Sequence, residues 1–228
     1  MTHTDSICDD PALRQITQQF NSFILQSEFP CLGAKSALRN GACQVGHYET
    51  LGTLASARRM ASDLLSFIET RESATGNFST FAAVFDHPMD VSEEQFETLL
   101  WQQLSALHHI DRHPWAPSAA HDPNHPDFGF SFGGVAFFLV GLHPRSARLA
   151  RRFTYPTLVF NAHAQFEQLK KAGKFKKMQH VIRNRDRAWQ GTYNPMLADY
   201  GTVSEARQYS GRAVAADWQC PFLHKDAY

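Results

Sequence analysis

The chain has 228 residues, 43% hydrophobic and 19% charged, enough for a sizeable buried core and too apolar for a disordered protein. Its 22 basic residues balance 22 acidic ones, so no overall field recruits nucleic acid or an anionic membrane. No apolar run approaches the ~20 residues of a membrane span, and the four cysteines (Cys8, Cys31, Cys43, Cys220) form no CxxC pair behind a polar, acidic N-terminus without a signal peptide. A reduced cytoplasmic protein is expected.

Residues 1–10 read as a mobile tail, with a single domain over 11–228. Pro11 suits a helix start, and Phe20, Phe23, Ile24 and Leu25 follow at helical spacing. Pro30 restricts the backbone ahead of Cys31, and Leu32, Ala34, Ala37 and Leu38 carry a second helix that Gly41 ends. The Cys31 thiol then sits at a helix N-terminus, where unpaired N–H groups and the dipole lower its pKa and ready it for a metal or an electrophile. The competing reading is a buried small hydrophobe.

Gly46-His47-Tyr48 reads as loop, and 53–69 as a helix with Leu54, Ala57, Met60, Ala61, Leu64, Leu65 and Ile68 on one face. Phe78–Phe85 is a β-prone run, stopped by Asp86-His87-Pro88. Ser92-Glu93-Glu94-Gln95 is a capping box ahead of a helix that reaches His108-His109. Residues 111–129 hold five prolines or glycines and three histidines, an ordered loop of the length that tends to carry function.

Phe130–Val140 reads as one buried strand and Tyr155–Phe160 as its neighbour. Asn161 is expected to cap a helix containing Phe166 and Leu169; Gly173 breaks it, and Phe175, Met178, Val181 and Ile182 mark the next. From Gly191 onward, through Asn194-Pro195 and Tyr200-Gly201, the chain is irregular. Helices outnumber strands without βαβα alternation, so the expected class is α+β, a mainly helical domain around a small central sheet.

His143 follows a buried strand at Leu142-His143-Pro144, and His163 opens a helix; either is a candidate ligand or a packed histidine. Arg145, Arg148 and Arg152 would share one face of a helix, with Arg151 beside them; such forks suit carboxylates and phosphates. Asp111, Asp122, Asp127, Asp186 and Glu205 stand beside loop chemistry and could clamp a cationic substrate. Zinc spacings, phosphate loops, GxSxG and flavin or nicotinamide motifs do not occur.

Phe29-Pro30-Cys31, Phe130-Ser-Phe-Gly-Gly134, Gly141-Leu-His-Pro144, Ala150-Arg-Arg-Phe153, Phe160-Asn161-Ala-His163-Ala-Gln165-Phe166, Arg183-Asn-Arg185-Asp186, Asn194-Pro195, Ser204–Arg212 and Trp218-Gln-Cys-Pro-Phe222 occur in this order. Together they resemble the YqcI/YcgG family from about residue 20 to 222. The resemblance implies a heme-dependent oxygenase, since characterised relatives N-hydroxylate the guanidine of arginine or other amino-acid nitrogens, as in D-cycloserine biosynthesis.

On that basis heme b is the expected cofactor, with Cys31 as iron ligand and His143, His163 or Cys220 as alternatives. Pro30-Cys31 with its following residues is also similar to the heme-thiolate segment of fungal chloroperoxidases. Arg145, Arg148 and Arg152 would pair with the propionates, and Phe132, Phe137, Phe138 and Trp218 would cover the macrocycle. For an amino-acid substrate, Arg207 or Arg212 would hold the α-carboxylate and Glu205 or Asp111 the cationic end. An external electron donor, or peroxide, is then required; a homodimer is compatible with all of this. The alternative function is heme binding, transport or sensing without turnover.

Overall fold

The computed structural model describes residues 10–71, 78–197, 202–222 and 224, so the expected tail (apart from Asp10) lies outside the described residues, as do Cys8 and Tyr200-Gly201. The order is α1 (Pro11–Leu25), α2 (Leu32–Arg39), β1 (Cys43–Thr50), α3 (Leu54–Arg71), β2 (Thr80–His87), α4 (Glu93–Ile110), β3 (Phe130–Phe132), β4 (Val135–Leu142), β5 (Thr157–Ala162), α5 (His163–Lys171), α6 (Phe175–Gln190) and α7 (Ala206–Tyr209). The strands form one mixed sheet, β1-β2-β5-β4-β3, in which only β1 and β2 run parallel. The α+β class stands.

Strand side chains alternate between two cores. Phe81, Phe85, Phe130, Phe137 and Phe160 pack with α3, α4 and α7 on one face. Ala82, Val84, Leu142 and Val159 pack with Phe20, Phe23 and Ile24 of α1 on the other. Large rings on one side and small or branched residues on the other follow from the two-residue period of a strand. Phe29, Cys31 and Ala34 belong to the α1 side, whereas Phe132, Phe138 and Trp218 belong to the α4 side. The sheet therefore separates two sets of residues expected at one site.

Local chemistry sets the ends. Asp10 accepts the Ala12 N–H at 2.9 Å with Pro11 at the first helical position of α1. The Ser92–Gln95 capping box forms in both directions, at 3.2 and 2.8 Å. Three expectations are corrected. Gly46-His47-Tyr48 lies within β1, an edge strand, not a loop. Phe130–Val140 is a hairpin, folded at Gly133 and Gly134, whose φ values of 60° and 74° suit a two-residue loop. Asn161 stays in β5, bonded to Thr80 Oγ1 at 3.0 Å, and Ala162 precedes α5 without a side-chain cap.

Candidate functional site

Cys31 is the N-cap of α2, and its Sγ accepts the Ala34 N–H at 3.4 Å. The expected depression of its pKa is corrected: burial pushes the thiol above its ordinary value, against the N–H groups of Ala34 and Gly33. Sγ faces an apolar pocket of about 90 Å³ lined by Phe20, Ile24, Phe29, Val140 and Val159. Cys43 shares that pocket, its own thiol raised by burial to about 12.

The segment that presents Cys31 is held by two cations. Lys35, itself buried, donates from Nζ to the carbonyls of Gln26 at 2.5 Å and Ser27 at 3.2 Å, just past the negative end of α1. Arg185 of α6 donates to the carbonyls of Ser27 and Phe29, the latter at 3.0 Å. Trp189, one helical turn on, meets the Phe29 ring at 6.3 Å. Sequence reading missed this clamp; its only signal was a lysine among the small residues of an apolar helix.

His143 lies on the α4 side. Its ring stacks on Phe96 with centroids 4.5 Å apart, and neither ring nitrogen has a partner among the described residues. Burial, then the charges of Arg151 and Arg145, lower its pKa to about 4, so it is a neutral imidazole at physiological pH. Cys31 and His143 sit on opposite faces of the sheet, so the two side chains do not face one common site.

The other expected site residues are engaged within the protein. Arg145, Arg148 and Arg152 do not share a helical face, since only Leu149–Arg151 forms a short 3-10 turn there. Arg145 pairs with exposed Asp90 at 2.9 Å, and Arg152 bonds the carbonyl of Ser146 at 2.9 Å. Arg148 is buried against Asp186 and Thr192. All three guanidinium groups have protein acceptors.

The proposed substrate residues behave alike. Glu205 meets His163 Nε2 at 2.9 Å and accepts from the Tyr209 hydroxyl at 2.5 Å, and burial raises its pKa. Asp111 accepts from the Gly133 N–H at 2.8 Å and the His113 N–H at 2.9 Å. Arg207 lies over the Trp218 ring and bonds the Trp218 carbonyl at 3.1 Å; Arg212 is forked on Glu97. Phe132 and Trp218 are core residues of the α4 side and cannot cover a group bound at Cys31.

Among the described residues no cluster of three or more His, Cys, Asp or Glu is arranged to hold a metal ion, and no helix is long and apolar enough to cross a membrane. The sequence model of the YqcI/YcgG family matches residues 20–223. The chain belongs to the YqcI/YcgG family. It is 27% identical to the uncharacterized Bacillus subtilis protein YcgG over 206 residues, 86% of this chain and 81% of that one. It is 27% identical to YqcI of the same bacterium, also uncharacterized, over 208 residues, 87% of this chain and 82% of that one. No solved structure matches. The YqcI/YcgG match takes in Cys31, its Lys35–Arg185 clamp and His143 alike.

For heme, Cys31 fits by its donor chemistry. Its sulfur is partly desolvated, faces an apolar pocket and receives a backbone N–H, the bond that tunes a ligating thiolate. A raised thiol pKa is no obstacle, because a metal cation takes the proton's place on sulfur. The pocket's 90 Å³ is far below the several hundred a macrocycle fills, so admission requires α1 and α2 to draw back from the sheet.

Proposed function

We propose that this chain is a cytoplasmic heme-dependent oxygenase that hydroxylates a nitrogen of an amino acid or of a related guanidine or amine, drawing electrons from an external donor or using peroxide. The observation that carries the reading is Cys31 as helix cap beside an apolar pocket, within the Phe29-Pro30-Cys31 block of the family resemblance. Heme bound there would supply an iron whose thiolate ligand favours O–O cleavage. Cys31 would hold it, Lys35 and Arg185 would fix the segment that presents the sulfur, and Phe20, Ile24 and Phe29 would exclude water. No substrate role is given to Glu205, Asp111, Arg207 or Arg212, which are consumed by internal bonds.

That consumption favours one second reading, heme binding, transport or sensing without turnover. Optical spectroscopy on protein expressed with ample heme separates the cases. A thiolate ligand moves the Soret band of the reduced carbon monoxide complex to long wavelength; a histidine ligand leaves it short. Cys31→Ser preserves the helix cap, since serine is a strong N-cap, and should abolish the long-wavelength band with little change in thermal stability. If Cys31→Ser leaves the spectrum unaltered and His143→Ala removes heme, the ligand is His143. A colourless wild type rejects the heme reading. Added L-arginine or another amino acid should perturb the spectrum of an oxygenase and yield N-hydroxylated product; a transport protein ignores it.

A further inference from the structure

Five of the seven lysines in the whole chain lie between residues 170 and 177, the turn joining α5 to α6. From 163 to 190 there are eight basic residues against two acidic ones, in a protein of zero net charge. Both acids are taken: Glu167 pairs with Lys170 at 2.6 Å, and buried Asp186 with Arg148. The helical period divides α6 into two halves. Met178, Ile182, Asp186 and Trp189 form the half facing the protein, where Trp189 meets the Phe29 ring at 6.3 Å. Lys176, Lys177, His180, Asn184 and Arg187 form the opposite half and are exposed, with half-buried Arg183 beside them. Among the described residues no carboxylate pairs with Lys176, Lys177 or Arg187.

Lys176, His180, Arg183 and Arg187 follow one another along this outer half in axial steps of roughly 4.5–6 Å. Such a ladder is close to the separation of neighbouring phosphates in an extended strand. Beside it runs an open groove of about 840 Å³, lined by Lys170, Phe175, Lys176, Gln179, His180 and Arg183, with no acid among its described lining. An aromatic ring stands at each end. Phe175, half-buried, has Lys170 Nζ 5.6 Å from its centroid, and Tyr193, 52% exposed, has the Arg187 guanidinium 4.8 Å from its own. The cations do not serve the helix: Lys176 and Lys177 occupy its first turn, against the positive end of the dipole, with no acid and no side-chain cap. A lipid surface would need the apolar stripe of α6 turned outward, whereas Met178, Ile182 and Trp189 are turned in.

We propose that the outer half of α6 and its groove bind single-stranded nucleic acid. A basic groove that tracks the backbone, with aromatic rings on which bases stack, is the physical basis of such binding. Lys176, Arg183 and Arg187 take successive phosphates, while Phe175 and Tyr193 offer ring faces to bases at the two ends. Gln179 places an amide in the groove between them. Charge and stacking read neither the base nor the 2′-hydroxyl, so RNA and DNA strands are bound alike. The zero net charge gives no overall field, and recruitment is the work of this one face.

The test is fluorescence anisotropy of labelled oligo-U and oligo-dT strands of about twelve nucleotides with the full chain over a range of salt. Three or four phosphate contacts on a single strand predict a slope of about −2 to −3 in log affinity against log salt. Lys176→Gln/Lys177→Gln/Arg187→Gln should weaken binding by on the order of tenfold or more at low salt and flatten that slope by about 2. Phe175→Leu/Tyr193→Leu, which keeps apolar bulk, should weaken binding by about fivefold or more and leave the slope unchanged, because stacking releases no counterions. Arg39→Gln/Arg58→Gln, exposed cations on α2 and α3, should do neither. Absence of strand binding, an unaltered slope in the triple variant or an aromatic pair without effect overturns the proposal. So does binding to polyacrylate or to phosphatidylserine vesicles as tight as to the strands, which would mark a general cationic patch.

Discussion

His143 carries a cost that pH can expose. It is 1% exposed, both ring nitrogens lack partners among the described residues, and its pKa falls to about 4 from an ordinary value near 6.5. Between those values the unfolded chain takes a proton that the folded protein refuses. Stability is therefore lost as pH falls through 6.5 towards 4, by up to about 3 kcal/mol once both limits are passed. Denaturant melts at pH 7 and pH 4 should show this loss. His143→Phe, which keeps a ring on Phe96, should reduce the difference by that amount. If the variant and wild type lose stability in parallel, the imidazole is not the titrating group. The sequence marked His143 through Leu142-His143-Pro144, but not its isolation, which depends on Phe96, 47 residues earlier in the chain.

At the scale of elements, the α1–α2 junction is tied down by charge and not by apolar packing alone. Lys35 and Arg185 together bond the carbonyls of Gln26, Ser27 and Phe29, of which Gln26 also accepts the Phe29 N–H at 3.1 Å. Lys35→Met should destabilise the protein by about 1–3 kcal/mol, the loss of two charge-assisted bonds offset by easier burial. The informative readout is local. Hydrogen exchange at residues 31–38 should quicken far more than in α4, whose ends are fixed by the capping box and the Asp111 N–H bond to Leu107. Uniform acceleration across the molecule would contradict a local clamp. Helices with strong end signals were legible from sequence: α1 from Pro11, α4 from Ser92–Gln95, and the α5–α6 break from Gly173, whose φ is 67°. The misreadings arose where neighbours decide. β1 reads as loop because an edge strand keeps polar residues on its outer face, and its burial alternates only from Val45 to Tyr48. Asn161 has the chemistry of a cap, yet Thr80 on the adjacent strand claims its side chain.

Across the whole molecule, the candidate site was legible only in part. The cap position of Cys31 followed from Pro30 and the residues after it, whereas the division by the sheet depended on strand register, which places Phe137 opposite Ala162 and Phe138 opposite Asn161. That division sends Cys31 to one core and Phe132 and Phe137 to the other. Charge is divided as sharply. With a net charge of zero and a pI near 7.2, the protein should ignore ion exchangers at neutral pH if its charges were evenly spread. They are not: the basic excess of α5 and α6 is matched by an equal acidic excess in the rest of the chain. At pH 7.2 and low salt the protein should therefore be retained by a cation exchanger, held through Lys171–Lys177, despite having no net charge to hold it. Lys174→Gln/Lys176→Gln/Lys177→Gln should elute from it at clearly lower salt, while Arg39→Gln and Arg58→Gln, single exposed cations on α2 and α3, should change elution little. Since Gln also relieves the charge clash at the start of α6, the triple variant should melt no lower than wild type. Equal elution of all these variants would mean that the lysines do not act as one patch.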